Sequence, residues 1–304
     1  MFASLAALAL AQVFPLTVPL QKRPRQPERV VAPIGTAGLA FAAACRENDD
    51  WDKPAPPVRI HANTYLVGTC GISAILVTGK QGHILIDAGT ENGAELVAAN
   101  IRKLGFKLRD IRYLLHSHEH LDHVGGMARL QQLTGAQLVA STAAAPVLGT
   151  GAAGAGDPQV GMHPPFRAAR VDRVIGDGDT VRLGELMLTA IATPGHTPGA
   201  LSWHWGSCDS GVCLRMVYAD SLTPIGGAAY KFNAHPDYVA AYRAGLKKLA
   251  ATECDIVLTP HPSASNMIKR MNGESALRDG NGCRDYAARQ GRALDERLAQ
   301  EQAR

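Results

Sequence analysis

The chain has 304 residues, of which 46% are hydrophobic, so it can bury one large core or two modest ones. Its 31 basic and 27 acidic residues leave a formal net charge of +4 and are scattered along the sequence, apart from one early run, "QKRPRQPER". This balance excludes the basic footprint of a nucleic-acid-binding protein, and the composition excludes a fibrous or disordered chain.

Residues 1–44 are predicted to be an export segment outside the mature fold. Residues 1–21 are uncharged and contain two prolines, so they lack the positive n-region of a signal peptide. A better pattern follows, with residues 22–29 as the n-region, "VVAPIGTAGLAFAAA" as the h-region and cleavage near residues 42–44. We therefore expect a periplasmic protein without stable membrane association. The alternatives are an N-terminal membrane anchor and, less favoured, a lipid anchor at Cys45.

Six cysteines belong to the predicted mature chain, and an even number suits an oxidising compartment. They include no C-x-x-C pair, so a structural zinc knuckle is not expected. Many pairings are possible. The residues themselves suggest one, Cys208 with Cys213 in "CDSGVC", which would close a loop between two strand-like runs.

From about Trp51 onward the chain contains neither a linker nor a repeat, which predicts one domain over residues 45–304. Three short β-rich runs come first: "NTYLVGT", "ISAILVTG" and "HILIDAG". Apolar residues then recur at helical spacing in "ENGAELVAANIRKLG". Strand "IRYLLHSH", helix "VGGMARLQQLTG" and strand "AQLVAS" complete the first half.

The second half repeats this style. Strands are predicted at "ELMLTAIAT", "ALSWHW", "RMVYADS" and "DIVLTPH", and helices at "PDYVAAYRAGLKKLA" and "CRDYAARQGRALDERLAQEQ". Clusters of strands alternating with helices indicate two packed sheets flanked by helices. The long stretch at residues 149–167 has no periodicity and is either a mobile loop over a site or an ordinary surface excursion.

The densest chemistry lies in "HSHEHLDHVGG". Alternate side chains of a strand share a face, so His116, His118 and His120 are expected to point the same way. Asp122 and His123 can turn back toward them after the strand ends. Neutral imidazole and carboxylate together are ligands that zinc prefers, so this segment predicts a zinc site.

Two overlapping H-x-H pairs occur in this segment. Only His118 and His120 are followed by an Asp-His pair two and three residues on, so His116 is assigned to the core or to a position behind the ligands. Glu119 points the opposite way along a strand and is predicted to face solvent.

Further ligands must come from other histidines. His196 in "TPGHTPG" and His261 in "LTPHPS" follow strands and precede turn residues, where a rigid scaffold presents ligands. His204 alternates with tryptophans in a strand and is expected to pack. His163 and His235 each precede a proline and are expected to be structural.

The segments "HSHEHLDH", "PGHTPG", "YADSLT" and "TPHPSAS", in this order and with "HILIDAG" upstream, resemble the metallo-β-lactamase superfamily. The likeness is greater to class B β-lactamases of the third subclass, because Ser221 stands where the first subclass has a cysteine ligand. It is greatest to the Adelaide imipenemase type, through "GTCGISA" and "MVYADSLT", and it runs from about Cys45 to the C-terminus. The resemblance implies an α/β fold, a four-layer αβ/βα sandwich of two mixed β-sheets flanked by helices, with metals at one edge.

The resemblance also implies roles for individual residues. Two zinc ions would be bound, the first by His118, His120 and His196, and the second by Asp122, His123 and His261. Ser221 and Thr223 would meet the substrate carboxylate or order water, Gln159 would touch substrate, and Asp87 would stand behind the ligands. The implied disulfides are Cys45–Cys70, Cys208–Cys213 and Cys254–Cys283.

The implied activity is hydrolysis of the β-lactam amide bond in penicillins, cephalosporins and carbapenems by a metal-bound hydroxide that Asp122 orients, which confers antibiotic resistance. We expect a monomer whose partner is a small β-lactam. Neither G-x-S-x-G nor S-x-x-K is present to indicate a serine nucleophile.

The alternative is another dinuclear zinc hydrolase of this fold, a thioesterase of the glyoxalase II type or a lactonase. Those enzymes use an aspartate that bridges both metals, and Asp220 lies beside Ser221. Only one of two adjacent strand residues can readily reach the metals. A non-enzymatic metal-binding protein would be favoured by loss of ligands, and none is lost.

Overall fold

The computed structural model describes residues 34–46 and 49–303, so residues 1–33 of the predicted leader lie outside the described residues. The strands are β1 (Val58–His61), β2 (Thr64–Leu66), β3 (Ile75–Gly79), β4 (Gly82–Ile86), β5 (Ile111–Leu115), β6 (Gln137–Ser141), β7 (Val171–Ile175), β8 (Thr180–Leu183), β9 (Leu186–Ala192), β10 (Leu201–Asp209), β11 (Val212–Tyr218) and β12 (Ile256–Leu258). The α-helices are α1 (Gly35–Ala44), α2 (Glu91–Lys103), α3 (Leu121–Val124), α4 (Met127–Thr134), α5 (Ala144–Thr150), α6 (Pro236–Ala251), α7 (Met267–Met271) and α8 (Gly282–Gln302).

The strands form two mixed sheets. In the first, β1 to β7 lie in chain order, with antiparallel pairing as far as β4 and parallel pairing from β4 to β7. In the second, the order is β12-β11-β10-β9-β8, and only β11 and β12 are parallel. The prediction of two mixed sheets is therefore confirmed.

Buried side chains divide the molecule into four layers. Ile75 and Val77 of β3 pack toward the second sheet, where they join a core that contains Trp203 and Tyr218. Leu76, between them in the chain, lies in the separate cluster that includes residues of α2 and α4. This alternation is the strand period of two, and it buries both faces of the first sheet. The outer face of the second sheet is covered by α6 and α8.

Helix α2 shows why these segments fold as they do. The side chain of Thr90 accepts a hydrogen bond from the backbone N–H of Gly93 at 2.9 Å, which caps the first turn. Val97 and Ile101 are buried one turn apart on the face toward the sheet. The sequence predicts this helix over residues 91–105, and it ends two residues earlier.

Residues 35–44 of the predicted leader form α1. Phe41 and Ala42 are buried in the core between the sheets, and the backbone carbonyl of Met271 in α7 accepts a hydrogen bond from the N–H of Ile34 at 3.1 Å. The point at which the mature chain begins stays a prediction. Across the part of the chain that the structure describes, no helix is both long and apolar enough to cross a membrane.

The structure joins the cysteines in the pairs that the resemblance implies. These are Cys45–Cys70, Cys208–Cys213 and Cys254–Cys283. Cys208 and Cys213 lie opposite each other in the β10–β11 hairpin, so this bond closes a turn. The other two connect the residue after α1 to the loop before β3, and the turn between α6 and β12 to α8.

Candidate metal centre

Five segments that follow strands meet at one edge of the two sheets. Residues 116–123 follow β5, His196 follows β9, residues 220–223 follow β11, and His261 follows β12. Asp87 follows β4. Rigid strands thus position the loops that carry the polar side chains.

The first group of candidate ligands consists of His118, His120 and His196. One nitrogen from each ring lies within 4.8 Å of the others, and all three side chains are buried. The ring centroids are between 4.7 and 5.0 Å apart. A single ion can therefore be reached by all three rings.

The second group consists of Asp122, His123 and His261. The Oδ2 atom of Asp122 lies 3.0 Å from Nε2 of His123 and 3.4 Å from Nε2 of His261, and the two Nε2 atoms are 3.4 Å apart. The rings of His118 and His123 are 4.2 Å apart, so the two groups are adjacent. The His261 side chain is 29% exposed, which leaves this side of the centre open to solvent.

Two of the histidines in the first group are held from behind by carboxylates. Nδ1 of His118 donates to Oδ1 of Asp220 at 2.8 Å, and Nε2 of His120 donates to Oδ2 of Asp157 at 3.0 Å. Because one ring nitrogen donates to a carboxylate, the other keeps its lone pair for a metal. His118 can therefore bind a metal through Nε2, and His120 can bind one through Nδ1.

Two of the remaining ligand histidines, His196 and His261, follow the same rule. Nδ1 of His196 lies 2.9 Å from the carbonyl oxygen of Thr223 and 2.8 Å from its hydroxyl. Nδ1 of His261 donates to the carbonyl of Gly71 at 3.1 Å. Nδ1 of His123 faces Oδ2 of Asp87 at 3.5 Å but has no hydrogen-bond partner among the described residues. Such partners are typical of metal-ligating histidines, because they fix the orientation and tautomer of the ring.

The electrostatics suit a cation. Burial and the neighbouring histidines hold the pKa values of His118 and His196 well below the ordinary value, so these rings are neutral. Burial alone would lower the pKa of His123, but the charge and hydrogen bond of Asp122, with help from Asp87, raise it to about 10. A metal ion that binds here must displace this proton.

The prediction that Glu119 faces solvent is wrong. Its carboxylate is buried and accepts hydrogen bonds from the Thr197 hydroxyl at 2.6 Å and the Gly199 N–H at 2.8 Å. The reason is that β5 ends at Leu115, three residues before the predicted strand does, so strand alternation does not apply to Glu119.

His116 lies apart from both ligand groups. Its Nε2 accepts a hydrogen bond from the N–H of Ser141 at 3.1 Å, and its backbone carbonyl accepts one from the indole of Trp203. Asp87 accepts from the N–H and hydroxyl of Ser117 and from the hydroxyl of Tyr218. Its φ of 64° is rare for a non-glycine residue, and these hydrogen bonds hold it there.

The predicted substrate-contacting residues differ in position. The Ser221 hydroxyl is buried and has no hydrogen-bond partner among the described residues. The Gln159 amide reaches the first group, with Nε2 donating to Nε2 of His196 at 3.3 Å. Thr223 instead contacts Nδ1 of His196, on the side of the ring away from the other ligands.

Sequence reasoning missed Asp157 and expected His163 to be structural. The His163 ring lies 5.5 Å from that of His120, and its Nε2 is 3.4 Å from Oε1 of Gln159. Both residues belong to the long stretch without periodicity, where no local pattern indicates a partner. Of the other histidines, His235 stacks on Tyr230 at 4.7 Å, and His204 is partly buried in β10.

Comparison with known proteins identifies the class of protein. The sequence profile of the metallo-β-lactamase superfamily matches residues 67–261. The chain is 55% identical to the solved metallo-β-lactamase MIM-2, with a TM-score of 0.84, and covers 98% of that chain with 88% of its own. It is 47% identical to MIM-1 from Novosphingobium pentaromativorans, with a TM-score of 0.85. This match covers 98% of that chain and 87% of the present one.

A curated relative is the hydroxyacylglutathione hydrolase of Cereibacter sphaeroides, 30% identical over 145 residues. This match covers 48% of the present chain and 46% of the relative, so the chain spans about half the length of the curated relatives it matches.

The chain belongs to the metallo-β-lactamase superfamily, and it is a hydrolase of that superfamily. Its solved neighbours include enzymes described as subclass B3 metallo-β-lactamases. The two adjacent ligand groups, with their histidine and carboxylate donors, fit the pair of zinc ions that enzymes of this superfamily carry.

Proposed function

We propose that the protein hydrolyses the amide bond of β-lactam antibiotics, including carbapenems, with two zinc ions. His118, His120 and His196 would hold the first, and Asp122, His123 and His261 the second. The observation that carries the proposal is the convergence of these six candidate ligands, in which four of the five histidines hydrogen-bond a partner through the other ring nitrogen, while that of His123 faces Asp87 at 3.5 Å. The identity to solved metallo-β-lactamases directs the choice of substrate.

When bound, the zinc ions would supply Lewis acidity toward the β-lactam carbonyl and would lower the pKa of a water molecule to about 7. The Asp122 carboxylate would hold the second zinc and orient the attacking water. A serine nucleophile is not needed, so no covalent acyl-enzyme is expected.

Two side chains are proposed to meet the substrate. The Ser221 hydroxyl is buried without a partner, and a buried polar group of this kind is available to a substrate carboxylate or a water molecule. The Gln159 amide lies at the edge of the first ligand group, beside His196. Thr223 would act on substrate only through His196, whose ring it holds.

The environment of Asp220 argues against the rival hydrolases. A bridging aspartate must offer its oxygens to both metals, but Oδ1 of Asp220 accepts from Nδ1 of His118 and its Oδ2 lies 3.4 Å from the N–H of Leu222. A thioesterase remains the second candidate, because several of the curated relatives are named hydroxyacylglutathione hydrolases.

We also propose that the enzyme works in the periplasm as a monomer of one catalytic domain, residues 45–304. All six cysteines form disulfides, which persist in oxidising compartments. Amino-terminal sequencing of the exported protein tests the proposed boundary, and sedimentation tests the oligomeric state.

The test of function is a substrate panel. The zinc-loaded protein is assayed with a penicillin, a cephalosporin, a carbapenem, a glutathione thioester and an acyl-homoserine lactone, each with and without a chelator. We expect chelator-sensitive opening of the three β-lactams and little turnover of the others. Inert β-lactams with rapid turnover of the thioester or the lactone would contradict the proposal.

A further inference from the structure

Asp157 connects a long loop to the metal centre. The loop, residues 151–170, runs between α5 and β7 without regular structure, yet the Asp157 side chain is buried. Its Oδ2 accepts from Nε2 of His120 at 3.0 Å, and its Oδ1 accepts from the backbone N–H of Gln159 at 2.7 Å. Both carboxylate oxygens are therefore used, one by a candidate ligand and one by the loop itself.

The loop around Asp157 is fixed from several sides. The backbone N–H of Asp157 donates to the carbonyl of Gly154 at 3.0 Å, and the carbonyl of Pro158 accepts from the N–H of Gly227 at 2.8 Å. These contacts hold the loop against the segment that follows β11. The position of the carboxylate is thus set by the fold of the loop.

The orientation of His120 differs from that of its neighbours in the first group. His118 and His196 are held through Nδ1, so they direct Nε2 toward the centre. His120 is held through Nε2, and its Nδ1 is the nitrogen left for a metal. Without an acceptor at Nε2, the proton could occupy either nitrogen and the ring could rotate.

We infer that Asp157 is a positioning residue that keeps the proton of His120 on Nε2 and its Nδ1 directed at the first zinc. The inference rests on the proposed function, because it takes His120 as a zinc ligand. The same loop presents Gln159 beside His196, so its fold governs both the first zinc and the edge that substrate would meet. The loop is thereby more than a surface excursion.

The test is zinc binding by the whole protein. The metal-free wild type, Asp157→Ala and Asp157→Asn are titrated with zinc against a chromophoric chelator. Asp209→Asn is the matched control, because this exposed aspartate lies in the β10–β11 hairpin and pairs with Arg59. Nitrogen-15 NMR of the histidine rings reports which nitrogen of His120 carries the proton in the zinc-loaded protein.

We expect two zinc ions in the wild type and in Asp157→Ala, with one of them bound about 10 to 100-fold more weakly in Asp157→Ala. In that variant the Nε2–H proton of His120 should exchange with water faster, so its NMR signal should be lost. Asp157→Asn should show a smaller loss of affinity, since its amide oxygen accepts the same hydrogen bond without the charge, and Asp209→Asn should match the wild type.

Unchanged affinity for both ions in Asp157→Ala, with the His120 Nε2–H signal retained, would overturn the inference alone. A wild type that binds no zinc would overturn the proposed function as well. If Asp157→Ala does not fold, Asp157→Asn decides: weaker zinc binding than in Asp209→Asn supports the inference, and equal binding overturns it.

Discussion

Glu119 lies between two ligand histidines in sequence, but its carboxylate contacts neither ring by a hydrogen bond. It accepts from Thr197 and from the backbone of Gly199, and so it joins the loop after β5 to the loop that carries His196. Burial raises the pKa of Glu119 to about 7, against weaker opposing effects of these two hydrogen bonds. One buried side chain thus fixes the distance between two loops that supply ligands.

Replacement of Glu119 should destabilise the protein. Glu119→Ala leaves the Gly199 N–H and the Thr197 hydroxyl without their partner, which costs about 1 to 3 kcal/mol in free energy of unfolding. Glu119→Gln should cost less, because its carbonyl oxygen still accepts one hydrogen bond. Urea denaturation measures both.

Glu95→Ala is the control, since its exposed carboxylate pairs with Arg129 at the surface. Its effect should stay within about 0.5 kcal/mol. Equal stability of Glu119→Ala and Glu95→Ala would show that the buried contacts contribute nothing.

At this scale, the sequence indicates which residues can bind metal but not what holds them. The spacing of H-x-H-x-D-H selects His118, His120, Asp122 and His123 because few structural needs produce it. Their supporting groups come from far along the chain, as Asp220 does for His118. No local pattern encodes such a partner. Strand alternation gives the wrong direction for Glu119 because β5 ends at Leu115.

Among the elements, β11 and β12 are joined away from the metal centre by an ion pair between the half-exposed Arg215 and the buried Asp255. Asp255, just before β12, accepts from the backbone N–H of Arg215 at 2.9 Å and from its guanidinium at 2.9 and 3.2 Å. Burial alone would raise the pKa of Asp255, but the hydrogen bonds and charge of Arg215 outweigh it and hold the pKa below its ordinary value.

This pair should contribute stability that depends on pH. A lowered pKa in the folded state means that the contribution is complete above the ordinary pKa of 3.8 and is lost as the pH falls through the folded value. Asp255→Asn should therefore be less stable than the wild type at neutral pH by about 2 kcal/mol, and the difference should shrink in acid. Urea denaturation across pH tests this, and a difference that is constant with pH would contradict it.

The predicted elements were most accurate where periodicity is strong. Helix α2 and the buried strands β3 to β6 have regular apolar patterns, so the sequence locates them to within a few residues. Strand β7 is not predicted, because a charged pair, Asp172 and Arg173, interrupts its short sequence, "VDRVI", and three of its five residues are exposed. Helix α5 follows β6 in an alanine-rich stretch that has no clear amphipathic pattern.

At the scale of the whole molecule, the disulfides differ in how much of the chain they constrain. Cys254–Cys283 spans 29 residues and connects the turn before β12 to α8, whereas Cys208–Cys213 spans 5 and closes a hairpin turn. The entropy that a disulfide removes from the unfolded chain grows with the closed loop.

Removal of the longer connection should therefore cost more stability. The double variant Cys254→Ser, Cys283→Ser should lose about 3 to 4 kcal/mol in free energy of unfolding by the chain-entropy relation. The matched variant Cys208→Ser, Cys213→Ser should lose less. Equal losses in the two variants, measured by urea denaturation under oxidising conditions, would contradict this ordering.

The central claim is that two zinc ions, held by the six ligands, serve the hydrolysis of β-lactams. The most direct test titrates the metal-free protein with zinc and follows bound metal and carbapenem hydrolysis in the same sample. We expect uptake of two equivalents, with hydrolysis that depends on the bound zinc and is lost in His118→Ala. Hydrolysis by the metal-free protein, or uptake of zinc with no hydrolysis of any β-lactam, would contradict it.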